Sequence, residues 1–358
     1  MENFCPKCFL GANSCEGFVS HFSDCFDSSA DWRALLIKGG PGTGKSTFMK
    51  KIASEAVKKG YDVEYCLCSS DPDSLDGIVI KQLKTVLLDA TAPHVMDPVY
   101  PAACEEILNL GEFWCAKTLR ENRSEIIAVT NQNKQLHKTA SSYIKAAGEL
   151  IYDNYKLSLF YTDLKKSEQT AIKTVNRMIP QKTKPNPHEW IRFIGAITPK
   201  GIMSFPESID KLYDNIIVLE DKYGALTVYL EAIRKMALSC GYEIITVKSP
   251  FLPSKIIDGI LIPELSTAVV RETEYCRFSP EHRRIHARRF ADVELMHKFR
   301  PRMVFNQRIV RELLDSGCKA LQNAKLVHDD IERFYIGAMN FDRLNKYADK
   351  ICADLFES

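Results

Sequence analysis

The stretch LLIKGGPGTGKSTFMKK, residues 35–51, sets the fold class of this chain. Its centre, Gly39 to Ser46, fits the pattern G-x-x-x-x-G-K-[ST], with an apolar strand-like run before it and a segment of helical periodicity after it. Glycines let such a loop turn until successive backbone N–H groups face phosphate oxygens, and the following helix adds its own N-terminal donors. The sequence therefore predicts a phosphate-binding loop, or P-loop, between a strand and a helix.

The motif also predicts what its side chains do. Lys45 is expected to reach the β- and γ-phosphates of ATP or GTP and to act in catalysis, and Ser46 to bind the accompanying Mg²⁺. The alternative, a glycine-rich turn without a ligand, seldom combines these glycines, a Lys and a Ser in a strand-loop-helix setting. The residues expected to contact the nucleotide are Gly39, Gly40, Pro41, Gly42, Thr43, Gly44, Lys45, Ser46 and Thr47.

A carboxylate at the end of an apolar strand is the second part of such a site. The run TVLLD, residues 85–89, supplies it in Asp89, which follows Lys45 by 44 residues, the distance that two further strand-helix units would occupy. We expect Asp89 to bind Mg²⁺ with Ser46 and to act in catalysis; the alternative is an Asp that stabilises the following turn. Ala90 stands where many motor ATPases have Glu, which disfavours fast hydrolysis.

Further polar candidates follow the second and third predicted strands. Asp71 and Asp73, in CSSDPDSLD, should lie at the same edge of the sheet as the P-loop. Either is a candidate catalytic base or acceptor-orienting group, and Asp71 is the preferred one, with a turn residue before Pro72 as the alternative. His94, shortly after Asp89, is either a sensor of the γ-phosphate or a structural histidine.

An internal repeat runs through most of the chain. Residues 35–64 align with residues 216–245 when the sequence is shifted by about 181 positions, and both segments have the pattern of strand, loop, helix, Gly turn and strand. The match continues upstream, where residues 11–22 resemble 195–206, and downstream, where 74–91 resemble 255–273. The sequence predicts an α/β fold in which a parallel sheet of the P-loop NTPase type is duplicated as two lobes.

Each lobe is followed by a polar segment that favours helix, which we expect to form helical hairpins or a bundle on or between the lobes. QKTKPNPHEW, with two prolines and no periodicity, is the best candidate for a linker. The predicted organisation is a nucleotide-binding lobe at 1–180 with a helical segment at about 112–178, a linker at 181–190, and a second lobe at 191–358 with a helical segment at about 288–356.

The second lobe has lost the P-loop chemistry. A Glu in the loop would repel phosphate, and no Lys replaces the lost positive charge. We therefore expect one nucleotide site per chain. Glu220, Ala225, Leu226, Thr227 and Arg271 stand at the positions of Gly39, Gly44, Lys45, Ser46 and Asp89.

Composition excludes several classes of protein. With 45% hydrophobic and 26% charged residues among 358, the chain is long and apolar enough for a real core. Lys plus Arg number 48 against 46 Asp plus Glu, so the formal charge of +2 indicates no general affinity for nucleic acid. No run reaches the roughly 20 apolar residues of a membrane span and no leader pattern is visible, so we expect a cytoplasmic protein without membrane partners.

Two local clusters depart from this neutral background. The basic run at 282–289 is predicted either to be a solvated surface or to bind an anion, as a nucleic-acid site or as an arginine finger. The twelve cysteines are expected to be reduced; the alternatives are a zinc site that starts from the C-x-x-C of Cys5 and Cys8, or a redox pair. The arginines of the basic run are Arg283, Arg284, Arg288 and Arg289.

Several of these segments together resemble a family of bacterial P-loop ATPases, found mainly in Firmicutes, that has two tandem lobes with the intact motif in the first. The resemblance covers nearly the whole chain and implies ATP binding and the two-lobe fold, without naming a substrate. The segments that carry it are GANSCEGF (11–18), KGGPGTGKSTFMKKI (38–52), CSSDPDSLDG (68–77), LLDATAPHVMDPVYP (87–101), NLGEF (109–113) and GAITPKG (195–201).

Three functions are compatible with these features. The leading one is slow, Mg²⁺-dependent hydrolysis of ATP or GTP at a single P-loop, coupled to movement of the helical segments. A small-molecule kinase would use Asp71 to orient an acceptor hydroxyl and Arg120 or Arg123 to close over the phosphates. A nucleotide-gated module that binds protein or nucleic acid is the third.

Overall fold

A computed structural model describes residues 5–180, 182 and 187–356 of the chain. The strands of the first half are Lys7–Phe9 (β1), Gly11–Ser14 (β2), Gly17–Ser20 (β3), Arg33–Lys38 (β4), Glu64–Leu67 (β5), Leu75–Ile80 (β6), Thr85–Asp89 (β7) and Glu105–Asn109 (β8). Its helices are Lys45–Lys58 (α1), Ala116–Glu121 (α2), Arg123–Phe160 (α3) and Leu164–Met178 (α4).

The second half repeats this order of strands. Its strands are Glu189–Arg192 (β9), Gly195–Thr198 (β10), Gly201–Ser204 (β11), Asn215–Glu220 (β12), Ile244–Lys248 (β13), Ile257–Ile262 (β14), Thr267–Glu272 (β15) and Arg283–His286 (β16). Its helices are Glu207–Asp210 (α5), Thr227–Ser239 (α6), Val293–Ala338 (α7) and Phe341–Phe356 (α8). Five of the ten residues of the predicted linker 181–190 lie outside the described ones, and its last two residues belong to β9.

Two sheets have the same strand order and form the two lobes. The first runs β1-β5-β6-β7-β4-β8 and the second runs β9-β13-β14-β15-β12-β16. The prediction of two α/β lobes is confirmed, but the prediction of a parallel sheet is wrong at β6 and β14, which are antiparallel to both neighbours. A tight turn at Lys81–Leu83, followed by Lys84 at φ +47°, returns the chain directly from β6 to β7, so no crossover helix lies between them.

This mixed sheet still brings the expected loops to one edge. Because β6 is antiparallel to both β5 and β7, those two strands point the same way, and β7 and β8 are both parallel to β4. The carboxyl ends of β4, β5 and β7 therefore share one edge. The loops that carry Gly39, Asp71 and Asp89 leave the sheet there.

A third, smaller sheet joins the two halves. The hairpin β2–β3 and the hairpin β10–β11 lie side by side in the order β11-β10-β2-β3. Next to this sheet, Phe9 and Phe193 exchange backbone hydrogen bonds of 2.8 and 3.0 Å. Arg192 then pairs with Glu64 of the first lobe, and this ion pair lies between the two large sheets.

The two longest helices form an antiparallel pair. Asn133 near the start of α3 donates to the carbonyl of Ala324 in α7 at 2.7 Å, and Asn154 near the end of α3 donates to Met303 at 3.2 Å. At mid-length, Gly317 of α7 allows the two helices to approach closely, since a Cβ there would lie 3.0 Å from the Ile144 side chain of α3. No helix in the described part of the chain is long and apolar enough to cross a membrane.

The last helix of each half packs on the lobe formed by the other half. Helix α8, at the end of the second half, covers α1 of the first lobe, and α4, at the end of the first half, covers α6 of the second. Each lobe therefore completes its apolar core with residues from the other half. On α8 these residues are Leu344, Ala348, Ile351 and Leu355; on and after α4 they are Ala171, Val175 and Ile179.

Candidate functional site

The glycine-rich loop lies between β4 and α1, as the motif predicts. Gly42 and Gly44 have φ of +66° and +84°, in the left-handed region that residues with a Cβ rarely adopt. Gly44 is followed at once by the first residue of α1, Lys45, so the helix N-terminus opens towards the loop. The backbone therefore has the turn and the helix dipole that an anion site requires.

The structure brings Lys45 and Asp89 together. Lys45 Nζ donates to the carbonyl oxygens of Gly39 at 3.2 Å and Gly40 at 2.8 Å, so its side chain folds back over the loop. The same Nζ lies 3.5 Å from Asp89 Oδ2. Both side chains are nearly buried, so this pair is the main charged contact at the base of the loop.

The hydroxyl residues of the motif have different surroundings. Ser46 Oγ accepts a hydrogen bond from the backbone N–H of Leu75 at 3.0 Å, which ties the start of α1 to β6. Thr43 is buried and donates to the carbonyl of Gly40 at 2.8 Å. Thr47 is exposed and Pro41 is half-buried. Ser46 is thus held beside β6, whereas Thr43 stabilises the loop itself.

Asp89 uses its two carboxylate oxygens for different contacts. Its Oδ1 accepts from the backbone N–H of Thr91 at 3.0 Å and from the Thr91 hydroxyl at 2.5 Å, which stabilises the turn after β7. Its Oδ2 faces Lys45. The turn contact and the contact with the loop therefore use different oxygens of one carboxylate.

Asp76 on β6 is a neighbour of Asp89 that was not predicted from the sequence. Its exposed fraction is 4%, and burial together with the charge of Asp89 raises its pKa to about 7. One feature of the sequence could have revealed Asp76: it is the single carboxylate in the otherwise apolar run LDGIVI. The second half has the same pattern, with Asp258 in IDGILI. A charged residue at such a position needs a partner or a function.

His94 lies on the other side of Asp89. Its exposed fraction is 7%, its Nε2 is 3.9 Å from Asp89 Oδ1, and its ring stacks on Phe22 with 4.2 Å between centroids. Within the described residues neither ring nitrogen has a hydrogen-bond partner. Burial lowers the pKa of His94 to about 4 although Asp89 acts in the opposite direction, so the imidazole is neutral at pH 7.

Asp71 is placed at the predicted edge but interacts away from this group. Its Oδ2 accepts from the Ser74 hydroxyl at 2.8 Å and lies 3.5 Å from Lys325 of α7. Asp73 pairs with Lys200 at 2.6 Å. Asp71 thus has the turn contact that the alternative predicts and a contact with α7, and its catalytic role stays a prediction.

Helices α7 and α8 cover the outside of the loop. A Cβ on Gly40 would lie 2.7 Å from the ring of Tyr335, and one on Gly42 would lie 2.7 Å from the carbonyl oxygen of Glu332. Leu344 at the start of α8 is 3.2 Å from the position that a Cβ on Gly44 would take. The loop glycines are therefore needed for close packing as well as for their dihedral angles.

In the second lobe, a carboxylate fills the corresponding loop. Asp221, whose exposed fraction is 3%, accepts from the backbone N–H groups of Tyr223 at 3.2 Å, Gly224 at 3.0 Å and Leu226 at 2.6 Å. Asp221 stands at the repeat position of Gly40, which has no side chain. The Asp221 carboxylate thus occupies the loop N–H groups that a phosphate would need. This occupation opposes phosphate binding more directly than the charge of Glu220 does.

The buried acid of the second lobe is also neutralised internally. Arg271, at the position of Asp89, donates through Nε at 2.9 Å and through Nη2 at 2.5 Å to Asp258, which is the counterpart of Asp76. A further bond of 3.0 Å runs from Arg271 to the carbonyl of Asp221. The charges that Arg271, Asp258 and Asp221 bring to this site therefore all have partners from the chain itself.

Asp221→Ala is expected to lower the free energy of unfolding by about 1–3 kcal/mol, because three N–H groups of the loop, two of them in buried hydrogen bonds, lose their acceptor. Urea unfolding followed by circular dichroism measures this. The exposed Asp214, just before β12, is the matched control, and Asp214→Ala should change stability by less than about 0.5 kcal/mol. Equal midpoints for the Asp221 and Asp214 variants would contradict the role of Asp221 as the loop's internal anion.

The basic run at 282–289 has mixed surroundings. Arg284 in β16 donates to Glu220 and Glu272 at 3.0 Å each, so its charge is neutralised within the second lobe. The remaining arginines are exposed: Arg283, Arg288 and Arg289. The surface charge of the run therefore comes mainly from these three side chains.

The cysteine alternative has little support from the geometry. Cys8 and Cys66 lie opposite each other on β1 and β5, with 3.6 Å between the sulfurs, beside Glu64. Burial raises the pKa of Cys8 well above its usual value, and Glu64 is paired with Arg192. Because Glu64 is occupied, only the two thiols of this group remain for a metal, fewer than the four ligands of a structural zinc site.

Comparison with known proteins gives one partial similarity. Residues 13–139 match the family model described as "Nephrocystin 3, N-terminal". The matched stretch runs from β2 into α3 and contains Lys45, Asp76, Asp89 and His94, but it is only about a third of the chain. No curated protein and no solved structure matches. The resemblance to tandem-lobe bacterial ATPases therefore stays a prediction.

Proposed function

We propose that the chain binds ATP or GTP with a divalent cation at a P-loop formed by Gly39 to Ser46, and hydrolyses it slowly. In this proposal the first lobe is a P-loop NTPase-type domain and the second lobe binds no nucleotide. Lys45 neutralises the β- and γ-phosphates, the N–H groups of the loop and of α1 hold their oxygens, and Ser46 and Asp89 hold Mg²⁺. ATP and Mg²⁺ are the expected ligands.

The observation that carries this proposal is the contrast between the two loops. In the second lobe, the carboxylate of Asp221 accepts three hydrogen bonds from the loop backbone, so a loop of this design can hold a pair of anionic oxygens. At the same position the first lobe has Gly40, so its loop N–H groups receive no carboxylate from this position. Lys45, absent from the second lobe, adds the positive charge that a phosphate requires.

Slow turnover follows from what surrounds Asp89. Ala90 is the next residue, and Asp71 is held by Ser74 and Lys325. Neither the residue after Asp89 nor Asp71 in the loop after β5 therefore offers a free carboxylate to activate water. Such an arrangement favours binding of the triphosphate over rapid hydrolysis.

Coupling to the helical pair is supported by Glu332 of α7. The pKa of Glu332 is lowered mainly by His328, and the backbone N–H of Gly42 contributes to the same shift. Glu332 also packs directly on the loop, because a Cβ on Gly42 would lie 2.7 Å from its carbonyl oxygen and 3.1 Å from its Cβ. A phosphate that enters the loop would repel the nearby Glu332 carboxylate, so we propose that nucleotide binding displaces the end of α7 and that hydrolysis restores it.

The proposal is tested by Lys45→Ala. For the parent protein, ATP with Mg²⁺ at about 100 times its Kd should stabilise the fold by about 2.7 kcal/mol. The variant should lose this stabilisation and release no phosphate above background, because Lys45 contributes a charge-assisted contact to the phosphates. Thermal unfolding and phosphate release measure the two effects.

Lys58→Ala is the matched control for Lys45→Ala. Lys58 lies at the exposed end of the same helix and contacts Glu55 at 2.6 Å. This variant removes the same charge far from the loop and should keep the full response to ATP. An equal ATP-dependent rise in Tm for the Lys45 variant and the parent would overturn the proposal.

A further inference from the structure

Asp76, Asp89 and His94 form a compact buried group. Each offers one ligand atom, and these three atoms lie within 4.8 Å of one another. All three residues are buried, and they come from β6, β7 and the turn that follows β7. Ligands on rigid strands that are surrounded by packed side chains are the usual setting of a specific metal site.

In the part of the chain that the structure describes, Asp76 lacks the direct ion pair that its counterpart in the second lobe has. Lys45 lies near Asp89 Oδ2, but within the described residues no basic side chain forms an ion pair with Asp76. The second lobe balances the corresponding acid with Arg271, at 2.5 and 2.9 Å from Asp258. The two large sheets have the same strand order, and Asp258 is the counterpart of Asp76. The position of the Arg271 guanidinium beside Asp258 therefore indicates where the first lobe would hold an external cation beside Asp76.

His94 gives an independent indication of a ligand. A buried imidazole without any hydrogen bond costs on the order of 1–3 kcal/mol, so buried histidines normally have a partner. Nε2 of His94 faces Asp89, while Phe22 and Phe18 surround the ring on the apolar side. A cation between His94 and the two carboxylates would satisfy this nitrogen.

The geometry points to a site for a divalent first-row transition metal, bound by Asp76, Asp89 and His94. An imidazole with two carboxylates suits Mn²⁺, Fe²⁺ or Zn²⁺, whereas Mg²⁺ prefers oxygen ligands and keeps its waters. The inference goes beyond the proposed function, because protein side chains alone hold this ion and no nucleotide is required.

Titration of the nucleotide-free protein with Mn²⁺, followed by the electron paramagnetic resonance signal of the free ion, tests the inference. We expect about one Mn²⁺ per chain, with binding weakened at least tenfold in Asp76→Asn and in His94→Gln. A tenfold excess of Mg²⁺ should displace little Mn²⁺. The exposed His297 and Asp349 supply matched controls, and His297→Gln and Asp349→Asn should bind Mn²⁺ as the parent does.

Lys45→Ala separates this inference from the proposed function. The variant should lose the response to ATP but bind Mn²⁺ at least as tightly as the parent, because a competing positive charge 3.5 Å from Asp89 is removed. Circular dichroism verifies folding, and Asp76→Asn, which keeps the side-chain shape, decides the matter if His94→Gln does not fold. No Mn²⁺ binding by the parent, or equal binding by parent and Asp76→Asn, overturns the inference.

Discussion

Arg192→Met is expected to lower the free energy of unfolding by about 3–5 kcal/mol, because it leaves the charge of Glu64 buried without a partner. The exposed fraction of Arg192 is 2%, and its Nε and Nη2 each lie 3.0 Å from a Glu64 oxygen. Met retains much of the apolar volume of Arg, so the decrease in the free energy of unfolding comes mainly from the loss of the ion pair. Urea unfolding at pH 7 measures it.

The pH dependence gives this first prediction a second test. Burial by itself would raise the pKa of Glu64, but Arg192 outweighs it and lowers the pKa to about 2. A lowered folded-state pKa stabilises the fold above the unfolded value of about 4.3, and this contribution is lost as the pH falls towards 2. The difference between parent and variant should therefore shrink below pH 4.

A double variant is the control for Arg192→Met. Arg192→Met with Glu64→Gln removes both charges and should recover much of the stability. Replacing both members of a buried ion pair lowers the free energy of unfolding far less than removing one member, which leaves the other charge without a partner. If the single variant is as stable as the parent at pH 7, the ion pair does not hold the two lobes together.

Leu344→Ala is expected to lower the free energy of unfolding by about 3–5 kcal/mol, in the range of large cavities in buried cores. Leu344 has an exposed fraction of 4% and packs in the core that α8 shares with Phe48 and Met49 of α1. The residue belongs to the last helix of the second half, yet it supports the lobe that contains the glycine-rich loop. Denaturant unfolding of the full chain measures the loss.

Lys346→Ala is the matched control on the same helix. Lys346 is exposed, so this variant should change stability by less than about 0.5 kcal/mol. Because Leu344 touches the loop near Gly44, the Leu344 variant should also bind ATP more weakly than the Lys346 variant. Equal unfolding midpoints for the two variants would show that α8 is not part of the first lobe's core.

Features that depend on local chemistry and on repetition could be predicted from the amino-acid sequence without a structure. The order of strand, loop and helix from Leu35 onwards follows from an apolar run, a glycine cluster and helical periodicity, and these signals lie within about 20 residues of one another. The duplication is visible because both halves retain the same turns: Gly60 and Gly241 have φ of +87° and +82°. Lys45 and Asp89 could be named because their spacing and context are those of a known motif.

Contacts between distant parts of the chain became apparent only in the folded molecule. Asp76 looks like an ordinary strand residue until the antiparallel β6 places it beside Asp89, and Asp221 looks like a loop residue until its carboxylate is seen on the loop's N–H groups. The packing of α8 on the first lobe joins residues that are almost 300 positions apart, such as Lys51 and Asn345, whose side-chain Nζ and carbonyl oxygen are 3.1 Å apart. Periodicity shows that a helix has an apolar face, but any apolar surface of the right shape can cover that face. Which surface covers it therefore depends on how the whole chain packs.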